Sequence, residues 1–487
     1  MKRRDFLLAG SALAAPFALP ATSKASLAPT GAPAAGARPR PTPRQLAWQR
    51  DELAMFIHFG VNTFTNREWG DGREDPRLFD PANLDARQWA RVAKSTGFRA
   101  MVLTAKHHDG FCLWPSAYTE HSVRSSPWRG GQGDLVREFV DACRAEGLQA
   151  GLYLSPWDRH EPSYGDSPRY NDFYIDQLTE LLTRYGPIHE VWFDGANGEG
   201  PNGRRQEYDW PRFHGTVRAL QPDAVMFSDA GPDVRWIGNE SGIGNQTSWS
   251  MMDPDRIPYA GMPADTPMRD ALQLGDPMGT VWRPPEADVS IRPGWFWHPA
   301  EDERVRSVAN LVDLYFVSVG RNSKLLLNVP PTTAGMLHET DASRLTGFAE
   351  RLSTIFATNH ATGARVRASG SAGARFAPVH VVDADPDTYW SAPSGARPAW
   401  LELELPAPAA FNIVCLQEAV AYGQHIASYR VEAWIRERWQ TLSWGTTIGH
   451  RKLDRFPQVT AQRVRVTIEF AYDTPRLASI ALCHGHA

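Results

Sequence analysis

Cysteine is scarce. Cys112, Cys143, Cys415 and Cys483 are the only four in 487 residues. Four are too few for a disulfide framework, and their spacing fits no metal-ligand pattern. Cys415 and Cys483 fall in one stretch of the tail and can pair in an oxidising compartment; buried free thiols are the alternative. Charge of one sign is also lacking. The net charge is −4 with 22% charged residues, so no basic field exists to draw in nucleic acid or an anionic membrane. Beyond the N-terminus no stretch is apolar for long enough to span a bilayer. Gly-x-Ser-x-Gly, a phosphate loop, a dinucleotide fingerprint, His-Glu-x-x-His and Cys-x-x-Cys are all missing. Serine hydrolase, kinase and dehydrogenase chemistry therefore lose support, and neither a metal nor a cofactor is expected.

Tryptophan, by contrast, is plentiful, with 18 residues. Flat indole faces suit the apolar faces of sugar rings, although a large barrel also buries many aromatics. The N-terminus is more specific. Lys2-Arg3-Arg4-Asp5-Phe6-Leu7-Leu8 sets a twin arginine before a moderately apolar run from Phe6 to Leu19. That layout predicts a twin-arginine export signal over 1–25, cut after Ala25 or Ala21, and a periplasmic or secreted bacterial protein. An uncleaved anchor is the alternative. Residues 26–43 are rich in Ala, Pro and Gly and read as a flexible linker.

From Trp48 onward, apolar runs alternate with amphipathic stretches. Strands are expected at 54–61, 98–104, 148–155, 188–194, 224–228 and 324–329, with a short sixth at 235–240. Helices are expected at Asp85–Thr96, Asp134–Glu146, Asn171–Tyr185 and Glu301–Val319, the first two closed by Gly97 and Gly147. Near-continuous apolar strands between helices predict a parallel sheet covered by helices. His58, His107, His108 and Asp194 all fall at strand C-termini, and that one-sidedness predicts a (β/α) TIM-like barrel over 44–355. The region up to His298 is rich in Pro, Gly and Trp and shows no regular pattern. After residue 360 the texture changes. Trp400–Leu405, Tyr429–Trp434 and Arg463–Ile468 alternate with period two, which predicts a separate antiparallel β-sandwich over 360–487.

The most informative stretch is Glu190-Val191-Trp192-Phe193-Asp194-Gly195-Ala196-Asn197-Gly198. An apolar strand ends in one carboxylate, and two glycines are expected to turn the chain away. Asp194 reads as a catalytic nucleophile; an Asp there can also cap a helix or start a turn. Cleaving a glycosidic bond takes two carboxyl groups from different strand ends. Glu240, one βα unit further on in Trp236-Ile237-Gly238-Asn239-Glu240-Ser241-Gly242, is the candidate acid. An aromatic, partly desolvated wall around it would suit that role, and a solvated loop Glu is the alternative. His107 and His108 are adjacent, so in extended geometry they point to opposite sides and do not share an ion. Hydrogen bonding to hydroxyls is the better reading, and Glu68-Trp69 adds an acceptor and an aromatic plate.

Taken together, Phe56-Ile57-His58-Phe59-Gly60, Glu68-Trp69-Gly70, Lys106-His107-His108-Asp109-Gly110-Phe111, Gly151-Leu152-Tyr153-Leu154-Ser155-Pro156-Trp157 and Trp192-Phe193-Asp194-Gly195 resemble the α-L-fucosidases of glycoside hydrolase family 29. The resemblance spans residues 44 to 350. It implies a retaining double displacement with Asp194 as nucleophile, and a fucose pocket of His58, Glu68, Trp69, His107, His108 and Trp192. Other branches carry a second Tyr where this chain has Leu154. Arg235-Trp236-Ile237-Gly238-Asn239-Glu240 resembles the branch that prefers α-1,3- and α-1,4-linked fucose, which implies Glu240 as acid/base. Trp295-Phe296-Trp297 resembles the aromatic wall near the sugar, with Trp297 carried over to the pocket. Asp387-Thr388-Tyr389-Trp390, Trp400-Leu401-Glu402-Leu403 and Tyr429-Arg430-Val431-Glu432 resemble a discoidin-like, galactose-binding-type sandwich. The partner so implied is a fucosylated oligosaccharide or glycoprotein glycan. A non-catalytic sugar-binding barrel, or a retaining hydrolase for another sugar, is the competing expectation.

Overall fold

A computed structural model describes residues 38–257 and 266–485. The twin-arginine segment and most of the stretch read as linker lie outside the described residues. Docking starts inside that stretch, at Arg38, which lies over the Tyr472 ring at 5.0 Å and donates to the Gln424 carbonyl at 3.4 Å. Thr42 and Gln45 then form a reciprocal cap on the first helix, α1 (Pro43–Asp51).

Eight parallel strands close into a barrel. They are β1 (Leu53–Ile57), β2 (Ala100–Lys106), β3 (Gln149–Leu154), β4 (Glu190–Trp192), β5 (Val225–Ser228), β6 (Val234–Trp236), β7 (Pro285–Ser290) and β8 (Lys324–Asn328). Each pairs with its successor in the chain, and β8 pairs back with β1. Helices α2 (Ala86–Ser95), α3 (Leu135–Ala145), α4 (Ser167–Arg184) and α5 (Trp210–Leu220) follow β1 to β4. Asp85, Asp134 and Asp209 cap α2, α3 and α5 through their side chains. No helix separates β5 from β6. Helix α6 (Thr266–Leu274) follows β6, α7 (Val308–Val317) follows β7, and α8 (Glu339–Phe356) follows β8.

The second half departs from expectation at three places. The sixth strand stops at Trp236, so Glu240 lies on a turn beyond it. The helix expected over Glu301–Val319 is a 3₁₀ segment, Pro299–Arg304, and then α7, which Ser307 caps. Strand β7, sequence PEADVS, runs through the stretch that showed no pattern. It is polar yet buried throughout, because its acids face the barrel interior and meet indole donors there: Glu286 accepts from Trp192 Nε1 at 3.0 Å, and Asp288 from Trp236 Nε1 at 2.7 Å. Apolar periodicity cannot reveal a strand whose inward residues are satisfied by hydrogen bonds.

Strand parity sorts the side chains. Ala54, Phe56, Ala100, Val102, Tyr153, Trp192, Val225, Phe227, Val234 and Leu326 form one interior cluster, closed by Trp48 of α1. The alternate residues, such as Met55, Ile57, Met101, Leu103 and Leu154, pack with the helices. Leu154 therefore faces the helical layer, while Tyr153 faces inward. The interior also holds charge: Lys324 Nζ lies 3.5 Å from both Glu190 and Asp51, over the Trp48 ring.

The tail is an antiparallel β module of seven strands: β9 (Arg365–Ala368), β10 (Trp390–Ser391), β11 (Ala399–Glu418), β12 (Ile426–Ile435), β13 (Arg438–Gly445), β14 (Lys452–Ala471) and β15 (Arg476–Cys483). The long strands β11 and β14 pair along most of their length, with bulges between Glu404 and Ala409 and between Phe411 and Ile413. In β11, Val414 and Leu416 face the module's own core, whereas Ile413 and Cys415 join the barrel's helical core with Leu314, Tyr315 and Phe316. All four cysteines are buried free thiols. Cys415 pairs with Ala481 and Ile413 with Cys483, so the two tail thiols sit two register positions apart on neighbouring strands.

A polar junction accompanies this shared core. The Glu52 carboxylate forms an ion pair with Arg451 at 2.9 Å and accepts from His450 at 3.1 Å and the Tyr315 hydroxyl at 3.1 Å. Burial works against its charge; Arg451, His450 and Tyr315 outweigh burial and hold the carboxyl below its usual range. Glu52→Ala strands the Arg451 guanidinium and should lower the unfolding free energy by about 3 kcal/mol. Urea denaturation checks this, and a loss below about 1 kcal/mol would mean that the junction contributes no more than a surface pair.

Candidate active site

The barrel's C-terminal mouth collects the polar side chains, because inward parity continues past the strand ends. Ala54 and Phe56 lead to His58, Glu190 and Trp192 lead to Asp194, and Val225 and Phe227 lead to Asp229. Asp194 is 8% exposed. Its Oδ1 accepts from the Ala196 N–H at 2.7 Å, and its Oδ2 accepts from the Tyr153 hydroxyl at 3.1 Å. His108 Nε2 stands 3.7 Å from Oδ2.

Neither glycine after Asp194 turns the chain through the left-handed region. Both are there for close approach. A Cβ on Gly195 would overlap the Asp229 carboxylate, and one on Gly198 would overlap the Trp157 ring. Gly195 thus lets a second acidic side chain, at the end of β5, pack beside the Asp194 segment.

The histidines gather at this mouth. His107 and His108 lie just past β2, where the extended geometry assumed from sequence no longer holds. Their ring centroids are 4.1 Å apart, so both face one basin rather than opposite sides. His107 packs against His58 at 5.5 Å and stacks on Tyr153 at 5.8 Å. His108 packs against Trp157 at 4.8 Å.

Their hydrogen-bond partners fix which ring nitrogen carries the proton. Asn328 donates its amide to Ser290 Oγ and the Trp295 carbonyl, which turns its Oδ1 toward His58 Nδ1 at 2.9 Å. His58 Nδ1 is therefore the donor, and Nε2 is left as an acceptor. Burial lowers the His58 pKa to about 4, against the opposing pull of the Asn328 bond, so the ring is neutral. Ser155 Oγ donates to the Trp157 carbonyl at 2.6 Å and accepts from His108 Nδ1 at 2.7 Å. His108 Nε2 faces the Asp194 carboxylate across the same mouth.

Glu68 holds two loops together. Its carboxylate accepts from the Trp295 N–H at 2.8 Å, the Phe296 N–H at 3.2 Å and His298 Nε2 at 2.6 Å. The Glu68 bond raises the His298 pKa against burial. Oε2 carries only the Trp295 bond among these and keeps an acceptor direction for a hydroxyl. Trp69, 39% exposed, stands edge-on to His108 and Trp157 at the rim. Trp192 lies deeper, stacked on Phe227 at 4.2 Å and on Tyr153 at 5.2 Å. Trp295 stands 5.1 Å from the His58 ring, whereas Trp297 donates its indole N–H to Asp302 at 3.1 Å.

Glu240 is exposed, four residues past β6. Trp236, on the strand before it, donates its indole N–H to Asp288 at 2.7 Å. Asn239 shapes the turn. Its Oδ1 accepts from the Ser241 N–H at 3.1 Å and the Ser241 hydroxyl at 2.6 Å, and its amide donates to the Ile243 carbonyl at 2.9 Å.

The chain is similar to known proteins. The alpha-L-fucosidase family pattern matches residues 33–354. The chain belongs to the α-L-fucosidase family. The tail of this fucosidase matches the NedA-like, galactose-binding domain over residues 380–466. A putative alpha-L-fucosidase 1 from Oryza sativa is 47% identical over 445 residues, 90% of this chain and 84% of that one. A putative alpha-L-fucosidase from Bacteroides ovatus is 46% identical with a TM-score of 0.81, covering 93% of this chain and 75% of that one. A Ruminococcus gnavus GH29 fucosidase solved in complex with fucose is 33% identical with a TM-score of 0.83, covering 93% and 97%.

The sequence reading left four residues of the fucosidase mouth out of the site: Tyr153, Asn328, Asp229 and Trp295, the last named only as part of the aromatic wall. Tyr153 and Asp229 were readable from strand parity, since each sits in register with inward residues. Asn328 and Trp295 gave no such signal, because their roles depend on contacts between β1, β7 and β8.

Two outcomes are expected. Tyr153→Phe removes one hydrogen bond to a carboxylate and should lower kcat by about 10- to 100-fold with the fold intact; unchanged kcat on an aryl fucoside would dismiss the contact. Second, the native His58 pKa of about 4 lies below the free value of 6.5, so the unfolded state binds more protons between the two. Stability should fall as the pH drops through that window, by on the order of 3 kcal/mol for this residue. His121, His214 and His425 are lowered by burial in the same way. His58→Gln should therefore flatten the acid slope of the unfolding free energy without abolishing it; an unchanged slope would contradict the assignment.

Proposed function

We propose that this fucosidase releases terminal α-L-fucose with retained configuration from α-1,3- and α-1,4-fucosylated glycans, through a covalent fucosyl-enzyme on Asp194. The observation that carries the reading is the setting of Asp194. It is an inward, nearly buried carboxylate at the end of β4, held by Tyr153 and the Ala196 N–H beside the histidines of the mouth. A nucleophile must be held in line with the anomeric carbon, and two fixed donors do that for one carboxylate.

In the first step Asp194 Oδ attacks the anomeric carbon while the Glu240 carboxyl protonates the departing oxygen. In the second, Glu240 takes a proton from water, and that water displaces Asp194 and releases fucose. Retention calls for the two carboxyl groups about 5 to 5.5 Å apart across the bound sugar. The acceptor nitrogen of His58 and the Glu68 Oε2 suit sugar hydroxyl donors, with His108 beside them at the mouth. His107, Trp69 and Trp192 complete the fucose pocket, with Trp297 as an outer aromatic contact. Exposure of Glu240 fits an acid that meets a leaving sugar at the rim. The linkage preference rests on the likeness of Arg235–Glu240 to the branch acting on such bonds. The twin-arginine N-terminus supports export to the periplasm or beyond.

A substrate panel tests the reading. A Lewis-type α-1,3/1,4-fucosylated oligosaccharide, an α-1,2-fucosylated one and an aryl α-L-fucoside are compared, with the anomer of released fucose followed by proton NMR. Preferred release from the Lewis-type glycan as the α-anomer is expected. An initial β-anomer would rule out retention. Activity led by the aryl fucoside would remove the linkage preference, and no release at all would return the barrel to sugar binding.

A further inference from the structure

The turn that carries Glu240 is closed locally by Asn239, but its downstream leg is not self-supporting. Residues 244–250 run as irregular chain along the barrel wall, and most of their backbone groups need partners from elsewhere. The barrel supplies some. Arg321 donates to the Gly244 carbonyl at 2.7 Å, Gly244 donates to the Val317 carbonyl at 2.7 Å, and Arg235 donates to the Trp249 carbonyl at 2.8 Å.

The sandwich supplies several more. Lys452 Nζ donates to the Gln246 carbonyl at 3.1 Å and to its Oε1 at 3.0 Å. Thr447 Oγ1 accepts from the Ser248 N–H at 2.8 Å, and Thr247 and Thr446 share a hydroxyl bond of 2.6 Å. Gln424 accepts from the Ser250 N–H at 2.7 Å and donates to the Ser248 carbonyl at 2.9 Å. Asn322 joins both sides, donating to the Ser248 carbonyl at 3.0 Å and accepting from the His450 N–H at 2.7 Å. Lys452 is 2% exposed. A buried ammonium is costly unless acceptors meet it, and both oxygens of Gln246 do so. Such bonds hold the segment in one register, whereas apolar contact alone would let it slide.

We infer that the C-terminal sandwich is a positioning part of the active site, fixing through Lys452, Thr447 and Gln424 the loop leg that holds Glu240 over the leaving group. This rests on Glu240 being the acid/base. None of the three touches substrate; they act through the Glu240 loop. A displacement of about 1 Å in a catalytic group can cost on the order of 100-fold.

The test uses the full chain and two substrates that differ only in their need for a proton. A Lewis-type trisaccharide needs protonation of its leaving oxygen; α-L-fucosyl fluoride does not. The readout is kcat/KM, which reports formation of the fucosyl-enzyme. Lys452→Met should lower kcat/KM on the trisaccharide at least about 10-fold and on the fluoride less than about twofold, with Lys452→Arg recovering most of the loss. Thr447→Val, isosteric and without its hydroxyl, should show the same split if Lys452→Met folds poorly. Equal losses on both substrates, or none on either, would overturn the inference and leave the interface as glue. Glu240→Gln is run alongside. If it splits the substrates and the sandwich variants do not, only the positioning role falls. If Glu240→Gln lowers both equally, the acid/base reading falls and takes this inference with it.

Discussion

The indole N–H of Trp192 meets the Glu286 carboxyl at 3.0 Å inside the barrel, and the mouth above depends on that bond. A buried indole needs an acceptor, and a closed barrel admits no bulk water to provide one. Burial, then the neighbouring charge of Glu190, pushes the Glu286 carboxyl well above its usual range. Trp192 is thereby fixed between Phe227 and Tyr153. The Tyr153 ring, held in turn, aims its hydroxyl at Asp194. A run of satisfied polar contacts and stacked rings leads from the barrel centre to the nucleophile candidate, with little freedom at any step.

Around that carboxylate, recognition is built from acceptors whose directions are set by their second partners. Asn328 decides which nitrogen of His58 accepts, and Ser155 orients the His108 ring. Burial keeps His58 neutral, which makes it an acceptor for a hydroxyl rather than a cation for an anion. Glu68 shows the opposite economy. Most of its capacity goes to joining the loop after β1 to the loop after β7, and the remainder faces the basin. Rim and floor are therefore braced by the same residues that line them.

The tail is not an appendage on a tether. Strand β11 offers one face to its own core and the other to the barrel's helices, so its apolar residues run consecutively where a solvated strand would alternate. Glu52, Arg451 and His450 add a charged junction beside that shared core. Two modules joined in this way behave as one body, and the loop beyond β6 is shaped by both.

Sequence alone determined the elements whose burial is written locally. The apolar strands β1 to β5 and β8, the Asp-capped and Gly-closed helices, and Asp194 at the end of its strand all follow from patterns spanning a few residues, because period two and period 3.6 are properties of the local backbone. The histidines at the mouth were legible for the same reason. Tertiary structure alone decided the rest. Strand β7 is polar, and only indoles far away in the chain make its acids interior residues. Glycines 195 and 198 look like turn formers until Asp229 and Trp157 arrive against them. Trp295 and Trp297 are alike in sequence, and the placement of Asn328 and Asp302 separates them. Glu240 carries no local mark of its surroundings. Its turn is closed by Asn239, but the leg behind it is fixed by residues some 200 positions later. Hydrogen-bond partners and close approach are set by folded distance, and a linear pattern does not encode folded distance.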